Sequence, residues 1–331
     1  GIHIANVSAY LEDINTNFYS SIYLKNKIIT MLDEKHSFEE CSLGNGEQKR
    51  SLSLILYYDM KGPNLDKSYQ LTSYEFRETI VKNTALSYED AELMICEANR
   101  TKVFQLWELT CRILGVEELS ATKMVEHYML LYNNMMAKEL YAFDPNTILR
   151  THRCSLDLNT ADNVLQKYLL KRKLNSATYE SNPENTRHEG LDMDLYTHAT
   201  SPIRRYVDIL NQINLIRIKN GGNSLVCGCL DEINLFQKNL RKFYNNYKKL
   251  DVIFGSEQIL DAYIVNFDGI KISVFIPELD FEHSFYGISR KLVDCNKVES
   301  GDDFLEINEK RFNLHDKIKI KITPLPFEEK F

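Results

Sequence analysis

The hydrophobic pattern of the chain changes its period twice, and this constrains the fold more than any other feature of the sequence. Residues 1–60 alternate short apolar, β-rich runs with polar joints, and a further strand-like segment runs to about residue 82. From about 87 to 250 the apolar residues mostly recur at three- and four-residue steps, as in helices, and after about 256 the strand pattern returns. A sheet, then helices, then a second group of strands predicts an α+β fold.

Several helical segments carry specific expectations. Ser87 followed by Asp90 predicts a helix start with a capping box. A long helical region is predicted over about 203–250. Residues 124–143 predict a helix with a core-facing apolar stripe, and the members of that stripe are Val125, Tyr128, Met129, Tyr132, Met136 and Leu140.

The C-terminal strands are short and are punctuated by glycine turns, a pattern that fits a small five-stranded barrel. The OB-fold is a barrel of this kind, and it commonly binds single-stranded nucleic acid. We therefore predict two domains, a larger one over 1–255 and an OB-fold over 256–331.

The charge of the chain limits how it could bind nucleic acid. A net charge of −7 over 331 residues argues against a broadly basic exterior. Phosphate contacts act locally, within about 10 Å, so the basic clusters at 149–153, 167–173 and 241–249 could still bind a strand. The alternative for each cluster is a solvated helix face.

Composition also bears on the setting of the protein. No apolar run approaches the length of a membrane span, and the start of the chain lacks the features of a secretory leader. The 7 cysteines form no tightly spaced framework, so reduced thiols in the cytoplasm or the nucleus are expected. Because the chain opens at Gly1 with an alternating apolar strand, we expect that it is truncated at its N-terminus.

The segment 196–208 carries the most chemistry. Thr200, Ser201 and Pro202 predict a helix entry whose free N–H groups would attract phosphate. Arg204 and Arg205 would then stand one turn inside the helix, where a guanidinium can clamp a phosphodiester. The alternative is an arginine pair, or one arginine of the two, held by an acidic residue, Asp208.

The stretch RHEGLDMDLYTHATSPIRRYVDILNQ at 187–212 resembles the signature of the RNB (ribonuclease II/R) family of exoribonucleases. Other segments resemble the family in the expected order, namely GIHIANVSAYL, ALSYEDA, MVEHYMLLYNN and ILRTHRCS. The matching residues of the signature are Tyr196, Thr197, His198, Thr200, Ser201, Pro202, Ile203, Arg204, Arg205, Tyr206 and Asp208.

The resemblance implies an enzyme that hydrolyses single-stranded RNA from the 3′ end and releases nucleoside 5′-monophosphates. Arg204 and Arg205 are the expected catalytic residues, and Tyr23 and Tyr88 are expected to stack on the last bases. A weaker likeness to the exosome-associated branch of the family implies exosome subunits as possible partners. The other expected RNA contacts are Arg150, Tyr196, His198, Thr200 and Ser201.

The resemblance also implies Mg²⁺, held by a run of aspartates that would lie upstream of Gly1, so this chain alone is expected to bind RNA more readily than to cut it. Several positions depart from the family pattern: Asn6 replaces an aspartate, Gln212 and Ile213 replace a histidine-arginine pair, and Tyr247 replaces an arginine. These departures leave open an inactive, RNA-binding relative. The spacings of His152, His188 and His198 match no standard zinc pattern.

Overall fold

The computed structural model describes residues 1–10, 16, 18–61, 68–97, 101–153, 160–224, 228–253, 255–268, 271–286, 298–301, 304–307 and 310–323. The chain forms two compact units. The first unit comprises Gly1–Arg153 and Ser176–Gln237, and the second comprises Cys154–Asn175 and Lys238–Phe331.

The regular elements follow the predicted order of strands, helices and strands. The strands are β1 (Ile2–Ala5), β2 (Ile22–Leu24), β3 (Lys27–Ile29), β4 (Gln48–Lys61), β5 (Ser68–Lys82), β6 (Ile148–Thr151), β7 (Thr178–Ser181), β8 (Gln258–Asp268), β9 (Lys271–Ile276), β10 (Phe281–Tyr286), β11 (Val298–Ser300), β12 (Phe304–Ile307), β13 (Lys310–Asn313) and β14 (Lys317–Ile322). The helices are α1 (Tyr88–Cys96), α2 (Lys102–Leu114), α3 (Ala121–Phe143), α4 (Val164–Lys173), α5 (Tyr206–Lys219) and α6 (Leu230–Ile253). The α+β class is confirmed.

The first unit is built on an antiparallel sheet of order β1-β4-β5. Successive side chains of a strand point to opposite faces, so Leu52, Leu54 and Phe76 share one face, and this face packs against α3. The buried Tyr132 of α3 donates a hydrogen bond from its hydroxyl to the carbonyl of Leu52 at 3.1 Å. The core thus lies between the sheet and the helices.

The predicted helix features hold in part. Ser87 and Asp90 form the capping box at the start of α1, as predicted. In α3 the predicted core stripe is correct for Tyr132, Met136 and Leu140 but wrong at the start of the helix, because Val125 is 46% and Met129 37% exposed. The buried side there runs instead through Ala121 and Met124.

The predicted helical region over about 203–250 is confirmed, and it consists of two helices, since α5 ends at Lys219 and α6 begins at Leu230. Asn220 closes α5, and Gly221 follows with φ +77°, a left-handed conformation that glycine adopts without strain. A Gly-Gly pair after a basic last turn is therefore a helix end that the apolar period alone did not reveal.

The second unit contains an antiparallel sheet of order β10-β9-β8-β14 and a further sheet of order β11-β12-β13. Its core is formed by apolar residues of these strands, including Leu260, Ile264, Val274 and Ile276. Within the described strands both sheets are open, so the predicted OB-fold barrel stays a prediction. The predicted boundary at residue 255 also stays a prediction, since the second packing unit takes in α4 and most of α6 as well.

Across the helices that the structure describes, none combines the length and the apolar character needed to cross a membrane.

Candidate functional site

The segment that was predicted to open a helix at Pro202 has a different structure. Helix α5 begins at Tyr206, and Arg205 is its N-cap residue, with an extended φ of −139°. The N–H groups of Arg204 and Arg205 both donate to the carbonyl of Ser201, at 3.1 and 3.0 Å, so Ser201–Arg205 is a turn ahead of the helix. The prediction that the two arginines stand one turn inside a helix is wrong.

The cause is a backbone pairing that the local sequence does not encode. The N–H of Ser21 donates to the carbonyl of Arg204, and the N–H of Tyr206 donates to the carbonyl of Tyr19, both at 3.1 Å. Residues 19–21 thus hold the backbone of 204–206 in an extended form. The Asp208 carboxylate reaches back from α5 and accepts the N–H of Ser201 at 2.7 Å, which fixes the other end of the turn.

The two adjacent arginines have different surroundings. Arg205 donates from Nη2 and Nε to Oδ1 of Asp208, at 2.7 and 3.2 Å, and the two side chains are only 16% and 0% exposed. Burial raises the pKa of the Asp208 carboxyl, and the Arg205 guanidinium opposes that shift. Arg204 is exposed, and within the described part of the chain its guanidinium forms no ion pair. Arg205 therefore belongs to a buried ion pair, whereas the side chain of Arg204 is accessible to solvent.

Arg204 lies at a pocket of about 420 Å³ on the first unit. Four residues predicted as site residues, Arg204, Tyr23, Thr200 and Ser201, are brought together here. The tyrosine ring is 45% exposed. The full lining is His3, Ile4, Ala5, Tyr23, Leu43, Thr200, Ser201, Pro202, Ile203 and Arg204. A guanidinium, an aromatic ring and several hydroxyls around one pocket of this size suit a small ligand that carries an anionic group and a planar group.

Tyr196 was predicted to contact RNA, but its ring is buried, with 3% exposure. Asn133 of α3 donates to the Tyr196 hydroxyl at 3.0 Å and accepts the N–H of Ala199 at 2.8 Å. Asn211 of α5 donates to the Thr197 hydroxyl at 2.8 Å. This geometry places Tyr196 beneath the surface, where it supports the segment that leads to Arg204. Neither asparagine was singled out from the sequence, because an asparagine within a helical segment carries no spacing signal.

His198 and Arg150 meet at the ring of Tyr179. The Tyr179 hydroxyl and Nδ1 of His198 lie 2.7 Å apart, and the Arg150 guanidinium carbon lies 4.4 Å from the centre of the tyrosine ring. Burial, and next to it the positive charge of Arg205, holds the pKa of His198 well below its usual value. The imidazole is therefore neutral at pH 7 and acts as a hydrogen-bonding group. The predicted RNA contacts of His198 and Arg150 stay predictions.

Tyr88 lies at the first position of α1 and is 49% exposed, as its place after a cap residue suggested. It is not one of the described residues that line the pocket of Arg204. Its side chain is half-exposed, and its predicted role as a stacking platform stays a prediction.

The described residues do not fit a magnesium site. No three of their histidine, cysteine, aspartate or glutamate side chains come together. The aspartates beside the signature, Asp192 and Asp194, both form ion pairs with Arg187 and are 87% and 85% exposed. These carboxylates are neutralised by a cation on the surface and do not converge on the pocket.

Two departures from the family pattern meet in one buried network. Asn6 donates from Nδ2 to Oε2 of Glu78 at 2.9 Å, and its Oδ1 accepts the Ser8 hydroxyl at 2.6 Å. Gln212 of α5 donates to the carbonyl of Ala5 at 2.8 Å. Asn6 is 1% and Gln212 0% exposed. Gln212 thus ties the end of β1, where Ala5 lines the pocket, to α5, and Asn6, the residue that follows β1, forms a hydrogen bond with Glu78 of β5.

Comparison with known proteins identifies the relatives of the chain. The RNB domain family matches residues 1–108 and 154–221, together more than half of the chain. Ribonuclease R 2 of Lactococcus lactis is 23% identical over 292 residues, which cover 63% of this chain and 43% of that protein. The exosome complex exonuclease RRP44 of Homo sapiens is 22% identical over 426 residues, which cover 97% of this chain and 43% of that protein. The chain thus spans less than half the length of these curated relatives.

Solved structures share the fold. RNase R of Mycoplasma genitalium, in complex with ribose methylated single-stranded RNA, aligns with a TM-score of 0.70 and 16% identity and covers 98% of this chain and 64% of its own. Yeast Ssd1, described as a pseudonuclease, aligns with a TM-score of 0.61 and 15% identity and covers 86% of this chain and 45% of its own. At identities of 16% and 15%, these structural similarities are evidence for a shared fold only. The family match over more than half of the sequence shows that the chain belongs to the RNB domain family.

Proposed function

We propose that the protein containing this chain is a 3′-to-5′ exoribonuclease that hydrolyses single-stranded RNA to nucleoside 5′-monophosphates. The observation that carries the proposal is the exposed guanidinium of Arg204 at a pocket that also presents Tyr23, while the neighbouring Arg205 is consumed by an internal ion pair. The guanidinium of Arg204 forms no ion pair within the described residues, and hydrogen bonds fix both ends of the turn that carries it. This is the arrangement expected of a functional residue.

The proposed chemistry is the hydrolysis of the terminal phosphodiester. Water adds to phosphorus, the bond from phosphorus to the 3′ oxygen breaks, and that oxygen leaves with a proton as the new 3′ hydroxyl of the shortened RNA. Arg204 would stabilise the additional negative charge on the phosphoryl oxygens in the transition state. Tyr23 would hold the terminal base, and stacking suits an enzyme that must accept every base in turn.

Mg²⁺ is proposed as the cofactor, and it would supply Lewis-acid activation of the water and the phosphate when bound. Since the described residues do not fit a magnesium site, its ligands would be carboxylates outside them. The second unit is proposed to be an OB-fold that guides the incoming strand. Exosome subunits are possible partners, a proposal supported by the name of the human relative.

The test uses the whole protein, with a 5′-labelled single-stranded RNA and Mg²⁺. The expected result is a ladder of products that shorten from the 3′ end. Arg204→Ala should lower kcat by about 100-fold or more, the usual cost of losing a group that stabilises transition-state charge. The matched control is Arg112→Ala, which removes an exposed arginine paired with Glu108 on α2 and should leave the rate unchanged. Wild-type kinetics in Arg204→Ala would contradict the proposed role.

A second candidate function is RNA binding without cleavage. The observations that favour it are the neutral side chains of Asn6 and Gln212 next to Ala5, a residue of the pocket, and the fold likeness to a pseudonuclease. The same experiment separates the two functions. Binding that depends on Arg204, together with RNA that stays intact in Mg²⁺, would establish the binding protein, whereas shortening from the 3′ end would establish the enzyme.

A further inference from the structure

His3 lies in the pocket of Arg204 and Tyr23, although nothing in the sequence marked it as a site residue. On β1, Ile2 and Ile4 point to the sheet face that packs on the core, and His3 points to the opposite face. Its side chain is exposed, so it is not a core histidine. The pocket thus contains a third group with polar chemistry besides the guanidinium and the tyrosine.

A ladder of hydroxyl groups holds the ring of His3. Its Nδ1 lies 2.7 Å from the hydroxyl of Ser53, which lies 2.6 Å from the hydroxyl of Thr79 and 3.0 Å from that of Ser51. Ser51 and Ser53 are 0% exposed. Hydroxyl groups buried under an exposed imidazole on the outer face of a sheet orient that imidazole, because each has a hydrogen-bond partner within the ladder.

The other ring nitrogen, Nε2, is the one left for a ligand. Within the described residues it has no hydrogen-bond partner. Partial burial lowers the pKa of His3, so the ring is neutral at pH 7. A neutral imidazole suits a hydroxyl group rather than a phosphate, since it adds no charge and offers one directed hydrogen bond.

Arg204, Tyr23 and His3 each suit a different part of a bound nucleotide. This step depends on the proposed function. Arg204 suits the phosphate and Tyr23 suits the base, and the ribose is the part that joins phosphate to base. We propose that His3 is a specificity-determining residue whose Nε2 forms a hydrogen bond with the 2′-hydroxyl of the bound nucleotide. The 2′-hydroxyl is the group by which a protein can distinguish RNA from DNA.

The test compares two oligonucleotides that differ only at the 2′ position, oligouridylate and oligodeoxyuridylate, labelled at the 5′ end. Their binding to the full 331-residue chain is measured by fluorescence anisotropy at pH 7.5 without divalent metal. The variant His3→Asn places an amide near Nδ1, which keeps the bond to Ser53, whereas His3→Gln places an amide near Nε2. We expect His3→Asn to bind the RNA about three- to tenfold more weakly and the DNA unchanged, and His3→Gln to retain more of the RNA affinity.

The matched control is His315→Asn, the same change at an exposed histidine in a turn of the second unit. Its φ of +73° is a conformation that asparagine tolerates. A merely structural role of His3 through Ser53 would survive in His3→Asn. An unchanged ratio of RNA to DNA affinity in that variant, or equal affinities in the wild type, would overturn the inference and leave the proposed function standing. Absence of RNA binding by the wild type would overturn both.

Discussion

The ion pair between Asp208 and Arg205 fixes the turn that presents Arg204, and replacing Asp208 with alanine tests this. The carboxylate is fully buried, and it accepts hydrogen bonds from the N–H of Ser201 and from Nη2 of Arg205, each at 2.7 Å. Without it, a guanidinium that is only 16% exposed loses its counter-charge. Removing one partner of a buried pair costs about 3–5 kcal/mol, and we expect the free energy of unfolding to fall by that amount.

The partner variant should behave differently. Arg205→Ala leaves the Asp208 carboxyl with the N–H of Ser201, and burial already raises the pKa of that carboxyl, so it can take up a proton. We expect a loss of about 1–3 kcal/mol at pH 7 that shrinks as the pH falls. For the double variant, with alanine at both Asp208 and Arg205, the loss in the free energy of unfolding should be about 2 kcal/mol smaller than the sum of the two single losses. The reason is that no unpaired charge is left buried.

The assay is denaturation in urea followed by tryptophan fluorescence. Trp107 is the single tryptophan of the sequence, and its Nε1 donates to the carbonyl of Leu119 at 2.6 Å within the first unit, so its emission reports the unit that contains the ion pair. Asp194→Ala is the control, since it removes an exposed pair and should cost less than about 1 kcal/mol. Additive single losses, or an Asp208→Ala loss within 1 kcal/mol of the control, would refute the account of the turn.

Two further predictions concern binding and pH. Tyr23→Ala and Tyr88→Ala should each weaken the binding of single-stranded RNA by about 1–3 kcal/mol in anisotropy titrations, whereas Tyr→Phe at either position should bind like the wild type because the ring is kept. Burial, and next to it the neighbouring His152, lowers the pKa of His188 to about 4. The folded chain therefore binds fewer protons than the unfolded chain between pH 6.5 and 4. The neutral His188 therefore makes its full contribution to the free energy of unfolding above pH 6.5. As the pH falls towards 4, that free energy decreases by about 1–2 kcal/mol after allowance for partial exposure. His188→Gln should flatten the dependence in urea titrations at pH 7.5 and pH 5; an unchanged slope would contradict the assignment.

The sequence predicted the elements whose cause is local. The capping box of α1 depends on residues three apart, and the strand pattern of β4 and β5 on alternation within each strand, so both could be recognised along the chain. The apolar stripe of α3 was correct only where the helix meets the sheet. Its start faces solvent at Val125 and Met129, because the partner surface, not the period, decides which apolar side is covered.

The site was predicted as a set of residue types but not as an arrangement. Arg204 and Arg205 are adjacent residues of the same type, so the sequence alone does not distinguish them. In the structure they differ because residues 19–21 pair with the backbone of 204–206 and because the Asp208 carboxylate on α5 binds the Arg205 guanidinium. Both partners are set by tertiary structure, which a local pattern does not report. The same holds for His3, whose place in the pocket follows from its register opposite Ser53.

The asparagine at position 6 can be explained without assuming loss of function. Its Nδ2 donates to the Glu78 carboxylate at 2.9 Å, inside a site where Asn6 is 1% exposed. An aspartate there would set its carboxylate at hydrogen-bond distance from that of the exposed Glu78, and two like charges this close repel each other. The amide of Asn6 instead donates a hydrogen bond to Glu78 and adds no charge. Asn6 is therefore explained by its local hydrogen-bond partner, and the test of RNA cleavage by the whole protein, rather than this position, decides between the enzyme and the RNA-binding protein.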